Sequence, residues 1–258
     1  MKKEMMEVIN HHQLAAHIYE LTLQGSIVAD INKPGQFVHI KVDDSFDLLL
    51  RRPISIAEFN RDERWMKLIY RVDGAGTKRL SQKKIGEKLD ILGPLGNGFS
   101  IDEMDKGDHA LIVGGGIGVP PLYELSNQLV KKGVNVTHVL GFQSADAVFY
   151  EERFNELGQT WITTVDGSYR EKGFVTDVLK KESIPFKTLY TCGPSPMLRA
   201  IEDMYPTDDV YISLEERMGC GIGACFACVC HLKDDERMTD YRKVCTDGPV
   251  FRAGEVMY

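Results

Sequence analysis

The chain has 258 residues, enough for two domains of ordinary size with a remainder, and for a sizeable core. Its apolar fraction of 43% with 27% charged residues is that of an ordinary globular protein and excludes disordered, collagen-like and coiled-coil chains. With 31 Lys and Arg against 38 Asp and Glu, the net charge of -7 gives no electrostatic footprint for nucleic acid or an anionic lipid surface, so neither is expected as a partner.

The opening MKKEMMEVINHHQ lacks the apolar stretch of a signal peptide, and no run reaches the roughly 18 apolar residues of a membrane helix. A cytoplasmic location is expected, where clustered cysteines bind metal more often than they form disulfides. Up to about Phe99 the patterning has period two. HIYELTL (His17 to Leu23), QFVHIKV (Gln36 to Val42) and WMKLIYRV (Trp65 to Val72) read as strands separated by the turn-rich pieces NKPG and NRDER. These predict an antiparallel barrel or sandwich. A short helix from Thr77 to about Lys83, a turn at Gly86 and the strand KLDIL follow. Gly93 to Asp108, rich in glycine and charge, reads as a link between domains.

Within this first part, Arg51 and Arg52 precede a proline-stiffened segment, Pro53, Ile54 and Ser55. Arg71 and the Gly76-Thr77 junction, which opens a helix, come next. Arginine forks and helix N-termini are two common ways to hold a pyrophosphate, although each feature alone also fits a solvated charge or a plain turn.

After the link the rhythm becomes strand, helix, strand. ALIV, VNVTHVLGF, TWITTVDG, TLYTCG and DVYISLEE are strand signals, with helical stretches around VPPLYELSNQLVKKG, FYEERFNELG, FVTDVLKKE and PMLRAIEDMY. This alternation predicts a doubly wound parallel sheet. LIVGGGIGVPP sets Gly114, Gly115, Gly116 and Gly118 between a buried strand and a helix, a junction suited to phosphate. The spacing is not the usual G-x-G-x-x-G, so a tight packing turn is the competing reading. Cys192, Gly193 and Pro194 end a second strand, so two loops are expected at the carboxyl edge of one sheet, where open α/β folds bind ligands. Cys192 reads either as a buried small hydrophobe or as a residue facing a nicotinamide.

Five of the six cysteines crowd into the last segment. Cys220, Cys225 and Cys228 are spaced C-x4-C-x2-C, and Cys245 follows after sixteen residues, the plant-type order for a 2Fe-2S cluster on four thiolates. Small neighbours (Gly219, Gly221, Gly223, Ala224 and Ala227) let a loop wrap such a cluster and aim backbone N-H groups at its sulfurs. A structural zinc site is the alternative, but only Cys225 and Cys228 form a knuckle-like pair. Cys230 reads as a packing residue and His231 as a surface residue. The domain boundaries implied are 1–102, 103–212 and 213–258, the last too small to build much of a core without its metal.

The order RRPIS, IYRxxGxGT, GPLGNGF, GGGIGVPPL, CGPxPM and EERMGCGIGACFACVC resembles the family of dihydroorotate dehydrogenase B electron transfer subunits, within the ferredoxin-NADP reductase superfamily, over essentially the whole chain. The resemblance implies an antiparallel flavin-binding β-barrel holding FAD, an α/β domain binding NAD and a small 2Fe-2S tail. It places Arg52, Pro53, Ile54, Ser55, Ile69, Tyr70 and Arg71 along the flavin, and Gly76 and Thr77 at its pyrophosphate. Many superfamily members carry an aromatic residue where this chain has Ile54, which leaves stacking to Tyr70 or another ring. Gly114, Gly115, Gly116, Gly118, Cys192, Gly193 and Pro194 are implied at NAD. Asp146 in GFQSAD, with no arginine before Arg153, favours NAD over NADP. The implied partner is an FMN-containing catalytic subunit, in a heterotetramer of two chains of each kind, serving pyrimidine synthesis. A flavin and cluster subunit of a related ferredoxin:NADP oxidoreductase or sulfide dehydrogenase shares many of these motifs. A zinc-stabilised nucleotide-binding regulatory module is the alternative from another class.

Overall fold

The computed structural model describes residues 1–43 and 45–258. Six strands, β1 (Lys2–Ala15), β2 (Ile18–Gln24), β3 (Phe37–Lys41), β4 (Arg52–Asn60), β5 (Trp65–Arg71) and β6 (Lys88–Leu95), close a barrel in the order β1-β2-β5-β4-β3-β6. Every neighbouring pair is antiparallel. Alternate side chains fill the interior, with Met6, Val8, Leu21, Leu23, Val38, Ile40, Met66, Leu68 and Ile91 all buried. A short helix, α1 (Ala75–Leu80), follows β5, close to the predicted one.

Among the barrel strands, periodicity reveals neither β4 beyond its proline-stiffened start nor β1. The burial of β1 alternates only around Met6 and Val8, and the other residues of β1 are exposed or half-buried. Its order comes from pairing along both edges, to β2 and β6. The link is also shorter than predicted, since Gly93 pairs with Lys2 and Leu95 with Phe37, so β6 claims the first three of its residues.

The second sheet runs β10-β9-β8-β7-β11-β12-β15, from β7 (His109–Gly115), β8 (Asn135–Phe142), β9 (Gln159–Thr164), β10 (Glu171–Lys172), β11 (Thr188–Cys192), β12 (Asp209–Ser213) and β15 (Val250–Arg252). All are parallel except β15, which pairs antiparallel with β12. The crossover helices are α2 (Pro120–Lys131), whose two prolines occupy its first turn, α3 (Glu151–Asn155), α4 (Val175–Lys181) and α5 (Ser195–Met204). The chain winds from β7 outward to β8 and returns to β11 on the other side, which opens a crevice at the carboxyl ends of these strands.

The remaining residues form a loop and a hairpin of β13 (Val229–His231) and β14 (Tyr241–Lys243). Because β15 lies at the far end of this segment, the tail returns to the α/β sheet, and Cys228, Val244, Cys245 and Phe251 share one apolar cluster with Leu111, Val113 and Ile212.

Barrel and sheet are joined by a polar and aromatic contact. Arg153 of α3 lies between the rings of Tyr123 and Tyr150, at 4.2 and 4.5 Å from their centroids, and donates to both oxygens of Glu58 on β4 at 3.0 and 2.9 Å. Tyr150 donates in turn to Glu20 on β2. Barrel and sheet edge are therefore held in a fixed relation.

Candidate functional site

A cleft of about 490 Å³ opens where β4 and β5 face the α/β sheet. Pro53, Ile54, Ser55, Ile69, Tyr70 and Arg71, the residues that the resemblance sets along the flavin, line its barrel side together with Phe37. Arg52, Gly76 and Thr77 do not line it; they connect to it through Pro53, next to Arg52 in the chain, and through Asp73, whose backbone N-H Thr77 accepts. A Cβ on Gly76 would lie 2.3 Å from Arg52 Nε, so the missing side chain lets the guanidinium run along the loop. Thr77 Oγ1 accepts the backbone N-H groups of Asp73 at 3.0 Å and Gly74 at 3.2 Å, which caps α1.

Tyr70 borders the cleft, but its ring is committed to the barrel. It is 1% exposed, stacks on Tyr19 at 6.0 Å with 21° between the planes, and its hydroxyl lies 2.8 Å from His11 Nε2. Ile54 and Ser55 are half-buried at the same edge.

The opposite wall consists of Leu214, Glu215, Glu216, Arg217 and Met218, with Ile117 and Pro249. EERM belongs to the segment that carries the family resemblance, but nothing in LEERM marks it as a cleft wall; only the return of the chain after β12 brings it to the cleft. Glu215 is exposed toward the cleft, and desolvation by the walls around it pushes its carboxyl above the usual carboxylate range against the pull of Arg71.

A second cleft, about 530 Å³, lies at the carboxyl ends of β7, β8, β9 and β11. Gly115, Gly116 and Pro194 line it, with Gly141, Phe142, Gln143, Thr163, Val165, Phe174 and Met197 among the residues not foreseen. Gly116 has φ +54, and a Cβ there would meet nothing within 4 Å, so the backbone itself faces the opening. The other glycines bring the two loops together. A Cβ on Gly118 would lie 2.4 Å from the Cys192 carbonyl oxygen, and one on Gly193 would lie 3.1 Å from Gly115 N. Gly114 is packed under Val119, Leu122 and Leu140. Cys192 is 2% exposed, shares an apolar cluster with Tyr190 and Leu122, and lines neither cleft; burial pushes its thiol up. Of the two readings of this cysteine, the structure favours the buried hydrophobe. Arg71 lines both clefts, so the two open onto each other at this residue.

Two residues past Met218 begins the cysteine loop. Cys220 Sγ accepts the backbone N-H groups of Cys225 at 3.3 Å and Ile222 at 3.5 Å. Burial alone would raise this thiol, but these N-H groups and that of Ala224 hold it down at about 7. Gly221 and Gly223 have φ of +72 and +80, the left-handed backbone that turns the amides inward. Cys228 and Cys245 are buried and adjacent: burial, then the neighbouring Cys245 thiol, pushes Cys228 up to about 11, and Val244 N-H donates to the Cys228 carbonyl at 2.9 Å.

Cys220 thus lies beside Cys225 and Cys228 beside Cys245, and the Cys225 thiol also acts on Cys228. Among the described residues no three His, Cys, Asp or Glu side chains are grouped so that they could hold a single metal ion. A two-iron cluster takes two thiolates on each iron and shares its sulfides between them, which four thiols in this order supply. The donor set, the small residues and the inward amides fit a 2Fe-2S cluster.

A closed antiparallel barrel beside a doubly wound nucleotide sheet, with a cleft at their junction and a cysteine loop against it, defines a ferredoxin-NADP reductase type of oxidoreductase carrying an iron-sulfur tail. Residues 112–203 match the oxidoreductase NAD-binding domain, and residues 215–257 match the iron-sulfur cluster binding domain of dihydroorotate dehydrogenase B. The chain is 60% identical over 257 residues to the dihydroorotate dehydrogenase B (NAD(+)) electron transfer subunit of Geobacillus sp. (strain WCH70), covering 100% of this chain and 99% of that one. It is 58% identical, with the same coverage, to the corresponding subunit of Bacillus cereus (strain G9842). A solved structure of an NADH-dependent reduced ferredoxin-NADP oxidoreductase superposes with a TM-score of 0.86 at 28% identity, covering 99% of this chain and 90% of that one. Ferredoxin-NADP+ reductase from Plasmodium falciparum shares the fold, with a TM-score of 0.66 over 83% of this chain and 95% of that one, at 13% identity. The chain belongs to the family of dihydroorotate dehydrogenase B electron transfer subunits, and its cofactor set is FAD, a 2Fe-2S cluster and NAD.

Proposed function

We propose that the chain carries electrons between an FMN-containing dihydroorotate dehydrogenase catalytic subunit and NAD, in a cytoplasmic assembly of two chains of each kind that serves pyrimidine synthesis. The observation that carries this reading is the placement of the flavin cleft between the other two sites: it meets the nucleotide cleft at Arg71 and is walled on its far side by 214–218, which runs directly into Cys220. FAD supplies both two-electron exchange with a nicotinamide and one-electron exchange with a cluster, which is why it belongs in the middle.

The protein's part is to bind and orient. Pro53, Ile54 and Ser55 form the barrel wall on which the isoalloxazine would lie, and Arg52 with the Gly76-Thr77 turn offers the pyrophosphate a guanidinium and backbone amides. Gly115, Gly116 and Pro194 would hold the dinucleotide at the sheet edge. Glu215 brings a carboxyl, and Arg71 a guanidinium, to the region between the two. Cys220, Cys225, Cys228 and Cys245 would ligate the cluster. The domain partition 1–102, 103–212 and 213–258 follows these three sites, with β15 returned to the sheet of the second.

Co-purification with the FMN-containing subunit, followed by an assay of dihydroorotate-dependent NAD reduction, tests the reading. The expected result is a coloured complex containing iron, sulfide and both flavins that reduces NAD only when both subunits are present. A purified chain without flavin absorbance, iron or sulfide would sink it.

A further inference from the structure

Among the buried polar side chains of the barrel that belong to neither cleft, His39 is fully enclosed and lies against the cysteine loop. His39 is 0% exposed, and neither ring nitrogen has a hydrogen-bond partner among the described residues. It sits on β3, where Val38 and Ile40 face the barrel interior, so by strand alternation Phe37 and His39 face outward. Phe37 lines the flavin cleft, and its ring meets that of His39 edge-on at 6.5 Å.

The cluster loop covers the other side of the ring. A Cβ on Gly221 would lie 2.5 Å from His39 Nδ1, so the glycine at this position lets the loop rest on the imidazole. The backbone of Cys220 also faces the ring, just outside hydrogen-bond geometry. The strand beneath is fixed: Arg51 donates to the His39 carbonyl at 3.2 Å, the Asp90 carbonyl at 2.9 Å and the Asp90 carboxylate at 2.8 Å. Buried polar groups are nearly always hydrogen-bonded, and an apolar side chain could fill this place without leaving a donor and an acceptor dry. The polarity of the ring therefore needs a partner, and the Cys220–Ile222 turn is what lies against it.

We propose that His39 is a positioning residue for the iron-sulfur cluster: its ring N-H engages the Cys220–Ile222 turn when the loop is closed round the cluster, and so fixes the cluster against the flavin side of the barrel. It acts through the loop, as outer-shell hydrogen bonds act on metal ligands elsewhere. The inference rests on the assignment of Cys220, Cys225, Cys228 and Cys245 as cluster ligands.

The test compares His39→Leu and His39→Gln in the full chain, purified with its cofactors, by flavin content, the rate of cluster bleaching by a chelator, the electron paramagnetic resonance spectrum of the reduced cluster and its midpoint potential. His39→Leu is expected to keep FAD, to lose its cluster on the order of tenfold faster, and to show a shifted spectrum with a more negative potential, because donors toward the ligand shell favour the reduced cluster. His39→Gln, which keeps a side-chain N-H, is expected to move all three back toward the parent protein. Bleaching, spectrum and potential unchanged in His39→Leu overturn the proposal. So does equal damage in both variants, or loss of FAD with the cluster, since either means that the ring only fills space. A parent protein without iron and sulfide would overturn the cysteine assignment itself.

Discussion

The two clefts and the cysteine loop achieve order in opposite ways. The clefts are built on strand ends: β3, β4, β5, β7, β8 and β9 contribute to their walls beside the following loops and helices, and the nucleotide loops are locked together by glycines at van der Waals limits. The cysteine loop has two strands of three residues each, and its Cys220 thiol accepts two of its own backbone amides. A cofactor entering the clefts meets a shape already built, whereas the loop is a chain of donors that a cluster must complete. The difference predicts which losses stay local.

The largest effect expected follows directly. Cys225→Ser removes one thiolate ligand and should abolish the 2Fe-2S signal, while FAD content stays near that of the parent protein, because no cysteine of the loop lines the flavin cleft. Iron, sulfide and flavin analysis of the purified variant checks this, and loss of flavin together with iron would show that the loop is not separable from the barrel.

Much of this contrast was legible in the sequence. Period-two runs and the strand-helix alternation reported both layers, because burial on one or both faces imposes those periods, and the cysteine spacing reported the cluster because ligand geometry does. What lay hidden was whatever depends on tertiary return. β1 is ordered by its neighbours rather than by its own pattern, 214–218 becomes a cleft wall only because β12 ends beside the barrel, and β15 carries the tail back to the sheet. His39 looks like one polar residue in an alternating strand, and nothing local marks it as covered by a loop more than 180 residues away. The glycines split in the same way: Gly116 faces the opening as the motif implied, whereas Gly114, Gly118 and Gly193 answer to packing.

The preformed side of the comparison should respond to pH rather than to cofactor. His138 of β8 is buried between Ser126 at 2.7 Å and Thr160 at 3.0 Å, and burial holds it down at about 3 against an ordinary 6.5. The unfolded chain therefore takes up this proton first as pH falls below about 6.5, so stability is lost toward pH 3 at a limiting rate of about 1.4 kcal/mol per pH unit. Urea unfolding of the parent protein and His138→Gln at pH 7 and pH 5 should show a smaller loss in the variant; equal losses would contradict the assignment.

A smaller effect is expected where the two nucleotide loops touch. Gly118→Ala places a methyl 2.4 Å from the Cys192 carbonyl oxygen and 2.6 Å from Gly193 N, both backbone atoms that cannot swing aside. The loops must part, at a cost of about 1–3 kcal/mol by the scale of overpacked interiors. NAD affinity should fall while the cluster and FAD are retained, which calorimetric titration with NAD can read against iron and flavin content.

The smallest effect probes the loop from its packing side. Cys230 lies two residues beyond a ligand, is 6% exposed and directs its thiol to the Arg242 carbonyl at 3.6 Å across the β13–β14 hairpin. A sulfur so engaged is turned away from the ligand set, and it serves as a small buried hydrophobe. Cys230→Ala should therefore keep full iron and sulfide content and cost about 1 kcal/mol of stability or less, the value of a lost weak hydrogen bond and a small void. Iron analysis decides between the readings. Full occupancy leaves the loop with four ligands and one packing thiol, whereas a variant that loses iron as Cys225→Ser does would mean that the thiols exchange places and that the loop is less committed before the cluster arrives than its amides imply.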